Sequence, residues 1–257
     1  MKHILLLLAA FSTIFSLQAQ SDSLVSHVYI LSELPVQKDS SRGRVQIMDG
    51  KTPYMSNFEV HLTILEPGKA AHPPHTHANT EELLIVREGV LKVTIAGKSK
   101  ILEEGGVALS MPGDEHGAVN AGNTQCSYYV LKYTKATAPN MAQAKQSGGS
   151  ILVDWSEAPA QKTDKGERRQ QFNRPTSLFG KFDFHTTQLN KGEVSHAQHT
   201  HQQEEIIIVR KGTVEMHIAD KFYKAGPGDL IFLSTNIPHA LKNTYDGACE
   251  YFAFQWL

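Results

Sequence analysis

Cysteine is scarce in this chain, two in 257 residues, too few for a disulfide framework or a thiolate metal cage. Charge of one sign is missing as well. Lys and Arg number 25 against 26 Asp and Glu, with no run of either, which removes the electrostatic footprint expected of a nucleic-acid or anionic-membrane binder. Past the first twenty residues no apolar run approaches the length of a membrane span, and no segment holds a long helical period. A small-molecule partner is the expectation that survives these exclusions. Histidine is in excess instead: there are 13, and eight of them fall in two short windows.

Residues 1–19 read as a secretory signal peptide. Met1-Lys2-His3 is a positive start, Ile4 to Leu17 is almost wholly apolar, and Gln18-Ala19-Gln20 offers a small residue for cleavage after Ala19. A periplasmic or secreted location follows as an expectation.

The rest of the chain is one unit written twice. Ser32-Glu33-Leu34-Pro35 returns as Ser156-Glu157-Ala158-Pro159, Arg44 and Gln46 as Arg168 and Gln170, and His72, His75 and His77 as His196, His199 and His201, all displaced by 124. One residue is then lost, and at a displacement of 123 Glu82 pairs with Glu205, His116 with His239, Asn120 with Asn243 and Cys126 with Cys249. A long period present only twice means duplicated domains rather than a solenoid. The expected division is 28–133, a linker at 134–150 rich in Ala, Lys, Gln, Ser and Gly, and 151–257. Cys126 and Cys249 occupy equivalent positions in the two copies, so they are expected to lie beyond bridging distance and remain buried thiols.

Within each copy the pattern is that of strands. Phe58 to Leu65 and Phe182 to Leu189 are extended runs rich in β-branched and aromatic residues. Glu82 to Val86 and Glu205 to Val209 are short apolar runs closed by Arg-Glu-Gly and Arg-Lys-Gly, and Leu91 to Ile95 and Val214 to Ile218 are expected to return as the second arms of hairpins. Tyr128 to Tyr133 and Tyr251 to Trp256 close the copies. Many short strands with regular Gly and Pro turns predict an all-β fold of two tandem barrels.

Strand geometry explains the histidine spacing. Residues two apart share a face, so His75 and His77, and likewise His199 and His201, project into one interior. A short turn brings in Glu82 or Glu205 as the first inward side chain of the next strand, and His116 or His239 arrives from the opposite wall. Three imidazoles and one carboxylate then converge on a divalent transition ion, one per domain, with positions left open for other ligands. The donor set suits Fe or Mn, with Zn and Ni behind. A metal also supplies the partner that a carboxylate at the head of an apolar strand would otherwise lack.

His61 and His72, with their twins His185 and His196, are further candidates for orienting a ligand or carrying a proton. Glu59-His61-Thr63 and Asp183-His185-Thr187 share one strand phase, facing either a polar interior or solvent. Arg87 and Arg210 alternate away from the glutamates and are expected at the surface or an interface. The apolar outward phase of Leu83, Ile85, Ile206 and Ile208 leaves room for an intramolecular partner or a homodimer.

At both of its motifs and in both halves the chain resembles the cupin superfamily. The first motif appears as Gly68, His75, His77, Glu82, Gly89 and as Gly192, His199, His201, Glu205, Gly212; the second as Gly105, Met111-Pro112-Gly113, His116, Asn120 and as Gly228, Ser234-Thr235-Asn236, His239, Asn243. The glycine before the histidines is one residue farther off than usual, Met111 and Ser234 replace a proline, and Asn236 replaces a turn glycine. The resemblance implies a bicupin of double-stranded β-helix (jelly-roll) barrels. It also implies a metal-dependent oxidoreductase of the quercetin dioxygenase-like kind, acting on a small enolic, phenolic or sugar-derived substrate. A non-redox lyase, isomerase or hydrolase acting on a sugar acid or ureido compound, and a metal- or carbohydrate-binding protein without turnover, are the alternatives.

Overall fold

The β-branched and aromatic runs form strands throughout, and the computed structural model describes residues 23–257; the signal peptide expected at 1–19 lies outside them. The first half contains β1 (His27–Tyr29), β2 (Val36–Lys38), β3 (Arg42–Gly50), β4 (Asn57–Leu65), β5 (Thr80–Glu88), β6 (Leu91–Ile95), β7 (Lys98–Leu102), β8 (Val107–Ser110), β9 (His116–Asn120) and β10 (Cys126–Thr134). A six-residue helix α1 (Met141–Gln146) follows, capped by the Asn140 side chain. The second half repeats the series as β11 (Ile151–Val153), β12 (Gln161–Thr163), β13 (Gly166–Arg174), β14 (Phe182–Leu189), β15 (Glu204–Lys211), β16 (Val214–Ile218), β17 (Lys221–Ala225), β18 (Leu230–Leu233), β19 (His239–Asn243) and β20 (Cys249–Trp256). The repeated Ser-Glu-x-Pro segments lie at single 3-10 turns, Leu31–Glu33 and Trp155–Glu157.

Each half is a jelly-roll barrel in which a seven-stranded antiparallel sheet faces a three-stranded one. The sheet orders are β11-β8-β5-β10-β4-β3-β2 with β7-β6-β9, and β1-β18-β15-β20-β14-β13-β12 with β17-β16-β19. The hairpin expected between β5 and β6 does not form, nor does its counterpart between β15 and β16: β6 pairs with β7 and β9, and β16 with β17 and β19. Instead the chain turns a corner from one sheet to the other at Gly89 and Gly212. Both have positive φ, 83° and 74°. A Cβ on Gly89 would come within 3.0 Å of the Cys126 backbone, and one on Gly212 within 3.0 Å of the Cys249 side chain.

The repeat unit and the sheet do not coincide. β1, from the start of the first copy, completes the second barrel by pairing with β18, and β11, from the start of the second copy, completes the first by pairing with β8. This exchange covers an edge strand in each large sheet. It also ties each barrel to the other through backbone hydrogen bonds.

The outward faces of the two large sheets meet in one shared core. Leu83, Ile85, Phe58 and Tyr133 of the first copy cluster with Ile206, Ile208, Phe182 and Trp256 of the second. The Phe58 ring lies 5.3 Å from Trp256, and Tyr133 lies 5.5 Å from Phe182. The apolar outward phase is therefore satisfied within the chain. Each such aromatic contributes roughly 1.5–3 kcal/mol by leaving water. Separate clusters fill the barrel interiors, built around Leu84, Val86 and Val93 in the first and Ile207, Val209 and Met216 in the second. Cys126 and Cys249 are free and buried. No helix among the described residues is long and apolar enough to cross a membrane.

Candidate metal centres

The ligand histidines are placed by backbone pairing. His75 and His116 form a reciprocal bridge, with N–H to carbonyl distances of 3.0 and 2.9 Å. His199 and His239 repeat it at 3.2 and 3.0 Å. The same pairing continues at Gly113, whose N–H donates to the His77 carbonyl, and at Asn236, whose N–H donates to that of His201, both at 2.8 Å. Asn236 adopts a φ of 57°, the left-handed turn that glycine serves in the first copy, where Gly113 has a φ of 85°. The motif asparagines hold the approach loops. Asn120 Nδ2 donates to the carbonyls of Leu65 and Thr124, and Asn243 Nδ2 to those of Leu189, Asn190 and Gly247.

In the first barrel the donor atoms of His75, His77, Glu82 and His116 lie within 4.8 Å of one another. His75 Nε2 is 3.0 Å from His77 Nε2, and Glu82 reaches His77 at 3.1 Å and His116 at 3.5 Å. In the second barrel His199, His201 and His239 form the corresponding cluster. Glu205 Oε2 stands 3.2 Å from His201 and 3.5 Å from His239. The structure thus draws together all four expected ligands in the first barrel and the three histidines in the second, where Glu205 stands beside His201 and His239.

Burial opposes ionisation of both glutamates, but their contacts with the imidazoles outweigh it. Glu82 is held well below the ordinary carboxylate range and Glu205 is brought down to about 2. Desolvation and the neighbouring His116 lower His75 to about 4, so it is neutral and able to ligate at physiological pH.

The donor set fits a transition ion on two grounds. The Nδ1 atoms of His116 and His239 lie 2.9 Å from backbone carbonyls, those of Asp114 and Ile237. Those bonds place a ring proton on Nδ1 and turn each Nε2 into the cluster, buried and without a hydrogen-bond partner. Moreover, metal–nitrogen bonds of about 2.1 Å give donor–donor edges of about 3.0 Å at a right angle and about 3.4 Å at a tetrahedral one, the range of the contacts above.

The remaining candidates divide. His61 and His185 face the barrel interior beside the clusters. His61 Nδ1 is 3.0 Å from Glu59 and His185 Nδ1 is 3.4 Å from Asp183, so the polar strand phase lines the cavity. His72 and His196 are exposed on the rim, their rings 4.3 and 4.0 Å from His75 and His199. Arg87 and Arg210 turn away from the metal clusters. Arg210 lies over the Trp155 ring at 4.0 Å and pairs with Glu250 and with Glu104 of the other copy.

The cavities above the two clusters differ. The first encloses about 60 Å³ and is lined by Arg42, Arg44, Lys132 and a single carboxylate, Glu82. The second encloses about 560 Å³, and Asp164, Glu167, Asp183 and Glu205 line it against Lys165 and Arg168.

Sequence reasoning missed Glu81 and Glu204. Both are fully buried on the opposite face from the ligand glutamates. Glu81 accepts from Ser177 Oγ and the Leu178 N–H of the second copy, and Glu204 accepts from Thr52 Oγ1 of the first and from Trp256 Nε1. Burial raises the pKa of each. The signal was the Glu-Glu doublet in both copies, which puts one acid on each face of its strand.

The family of the cupin domain matches residues 61–132 and 185–254. No curated protein matches the sequence. Among solved structures, AerE from Microcystis aeruginosa superposes with a TM-score of 0.68 at 14% identity, over 90% of this chain and 98% of that one. Protein YlbA from E. coli gives 0.69 at 16%, over 91% of each chain. The oxalate decarboxylase formate complex from Lactobacillus farciminis gives 0.66 at 11%, over 89% of this chain and 85% of that one. At these identities the likeness is one of fold.

Proposed function

Because the chain belongs to the cupin family in both halves, we propose that it is an exported metalloenzyme whose second barrel oxidises a small enolic or phenolic molecule in dioxygenase-like chemistry. The observation that carries this is the 560 Å³ cavity lined by His199, Glu205 and His239, within the size range of small-molecule sites. Its lining holds four carboxylates against two cations, so a bound divalent ion would leave the site near neutrality rather than cationic. A neutral hydroxyl compound that loses its proton only inside the site suits that balance.

His199, His201, Glu205 and His239 would hold the ion, Fe or Mn by preference. When bound, it would supply Lewis acidity toward a substrate oxygen and a redox couple for dioxygen. His185 is the group to receive the substrate proton. It lines the cavity and is backed by Asp183 at 3.4 Å, an arrangement that orients the ring. Ile207, Met216 and Leu241 form an apolar floor that excludes water from the reacting oxygen, and Arg168, 3.5 Å from Asp183, holds that carboxylate in position.

The same proton-accepting pair also suits an isomerase or lyase that needs only Lewis acidity, and this is the second reading. Metal analysis of purified protein followed by oxygen uptake with a panel of flavonols, catechols and sugars separates them. Uptake with an enolic or phenolic compound, lost in His185→Ala with metal retained, supports the proposal. Product without uptake supports the second reading. Bound metal with neither uptake nor product overturns both and leaves a binding protein.

A further inference from the structure

We infer that the first barrel is a separate site for a small inorganic-sized anion, closed to larger molecules by Arg42, Val130 and Lys132; this rests on the reading that both barrels hold a metal ion. The two cavities are built on equivalent strands, the second reaching also over the turn at residues 163–165, and three exchanged residues narrow the first. At the repeat spacing Arg42 corresponds to Gly166, Val130 to Ala253 and Lys132 to Gln255. Each exchange gives the first barrel the bulkier or the charged member. Arg42, Val130 and Lys132 all line the small cavity, and Ala253 and Gln255 line the large one.

Lys132 does most to define what the small cavity accepts. Its Nζ is 4.0 Å from the ligand Glu82 and 3.9 Å from Glu59, so it hangs across the space beside the metal cluster. Arg42 closes one side, anchored at 3.1 Å to the Ala71 carbonyl on the loop that leads to the histidines. Arg44 is paired with Glu59 and Gln46. The cavity is about 60 Å³ against about 560 Å³ in the second barrel, a contrast that favours a small anion over a ring. Arg42, Arg44 and Lys132 outnumber Glu59 and Glu82, and a bound divalent ion would add to that excess, so a negative charge there is favourable, because fixed charges in a narrow low-dielectric cleft act strongly on what enters it.

The second barrel cannot be closed at the Arg42 position. Gly166 has a φ of 149°, and a Cβ there would meet the Gln188 carbonyl at 2.1 Å. The backbone itself keeps that side open.

Protein loaded with cobalt or iron tests the assignment by spectroscopic titration with azide, a triatomic anion, and with 4-nitrocatechol, a ring chelator, each scored as molecules bound per chain. The expected result is two metal ions, azide at both and 4-nitrocatechol at one. The triple variant Arg42→Ala, Val130→Ala, Lys132→Gln is expected to keep both ions, bind 4-nitrocatechol at both and weaken azide at the first barrel at least tenfold. In the reverse direction Ala253→Val with Gln255→Lys lowers 4-nitrocatechol affinity at the second barrel, which covers the case in which the triple variant fails to fold. Two 4-nitrocatechol molecules per wild-type chain, or an opened variant with two ions and unchanged stoichiometry, would overturn the inference and leave the metal reading intact. A protein that takes up no metal would overturn both.

Discussion

Replacing Trp256 with alanine tests whether the two barrels are one cooperative body. Trp256 has no exposed surface, sits 5.3 Å from Phe58 and 5.1 Å from Tyr133 of the first copy, and donates its Nε1 hydrogen to Glu204 at 2.9 Å. Truncating a buried aromatic to alanine costs about 3–5 kcal/mol. Glu204 keeps Thr52 but loses its other side-chain donor, adding about 1 kcal/mol, at the low end for a buried hydrogen bond left unmet. The total, about 4–6 kcal/mol, is a large share of the roughly 5–15 kcal/mol by which folded domains are stable. With a urea m-value of about 3 kcal/mol/M the midpoint falls by about 1.3–2 M. Trp256→Phe keeps most of the packing and isolates the hydrogen bond, with an expected loss of about 1–2 kcal/mol. Because β1 and β11 are exchanged between sheets, both halves unfold together. The fluorescence of Trp155, which lies between Arg169 and Arg210 beside β11, and far-ultraviolet circular dichroism should therefore report one shared transition. A biphasic curve in which only one phase moves would refute the coupling.

Three further outcomes follow from the same geometry. Glu205→Ala with His239→Ala should reduce the metal content from two ions per chain to one by elemental analysis, and Glu82→Ala with His116→Ala should remove the other, since each cluster is self-contained. Glu81, whose folded pKa is raised by burial, contributes stability that is complete below its unfolded pKa and is lost as pH rises through the folded value. Glu81→Gln should therefore flatten the pH dependence of unfolding and raise stability at neutral pH, and a loss of stability there would contradict the assignment. Burial lifts both thiols to about 11, so a thiol reagent should label neither cysteine in native protein at pH 8 and both after denaturation.

Much of the site was legible in the chain because strands encode it locally. The two-residue spacing of His75 and His77 and of His199 and His201 gives each pair its shared direction, although both pairs lie outside the named strands and are held by single bridges to His116 and His239, and the donor types name the chemistry. The alternation that sends Glu82 inward also sends Arg87 and Arg210 outward, where Arg210 stacks on Trp155. Glu81 and Glu204 escaped notice because an acid on an apolar outward face acquires meaning only when another barrel supplies its donors. The hairpin expected at β5 and β6 failed for a related reason: a strand, a glycine and a strand read the same whether the chain folds back or turns a corner into the facing sheet.

Duplication, strand content and the eight candidate metal ligands were determined by the sequence itself, since period and residue type are properties of neighbours along the chain. The tertiary structure alone decided which sheet each edge strand joins, that the apolar faces cover one another, and that one cavity is narrow and cationic while its twin is wide. Those outcomes depend on what Arg42, Val130 and Lys132, or Gly166, Ala253 and Gln255, meet across a barrel, and residues far apart in the chain have no spacing from which such a meeting can be read.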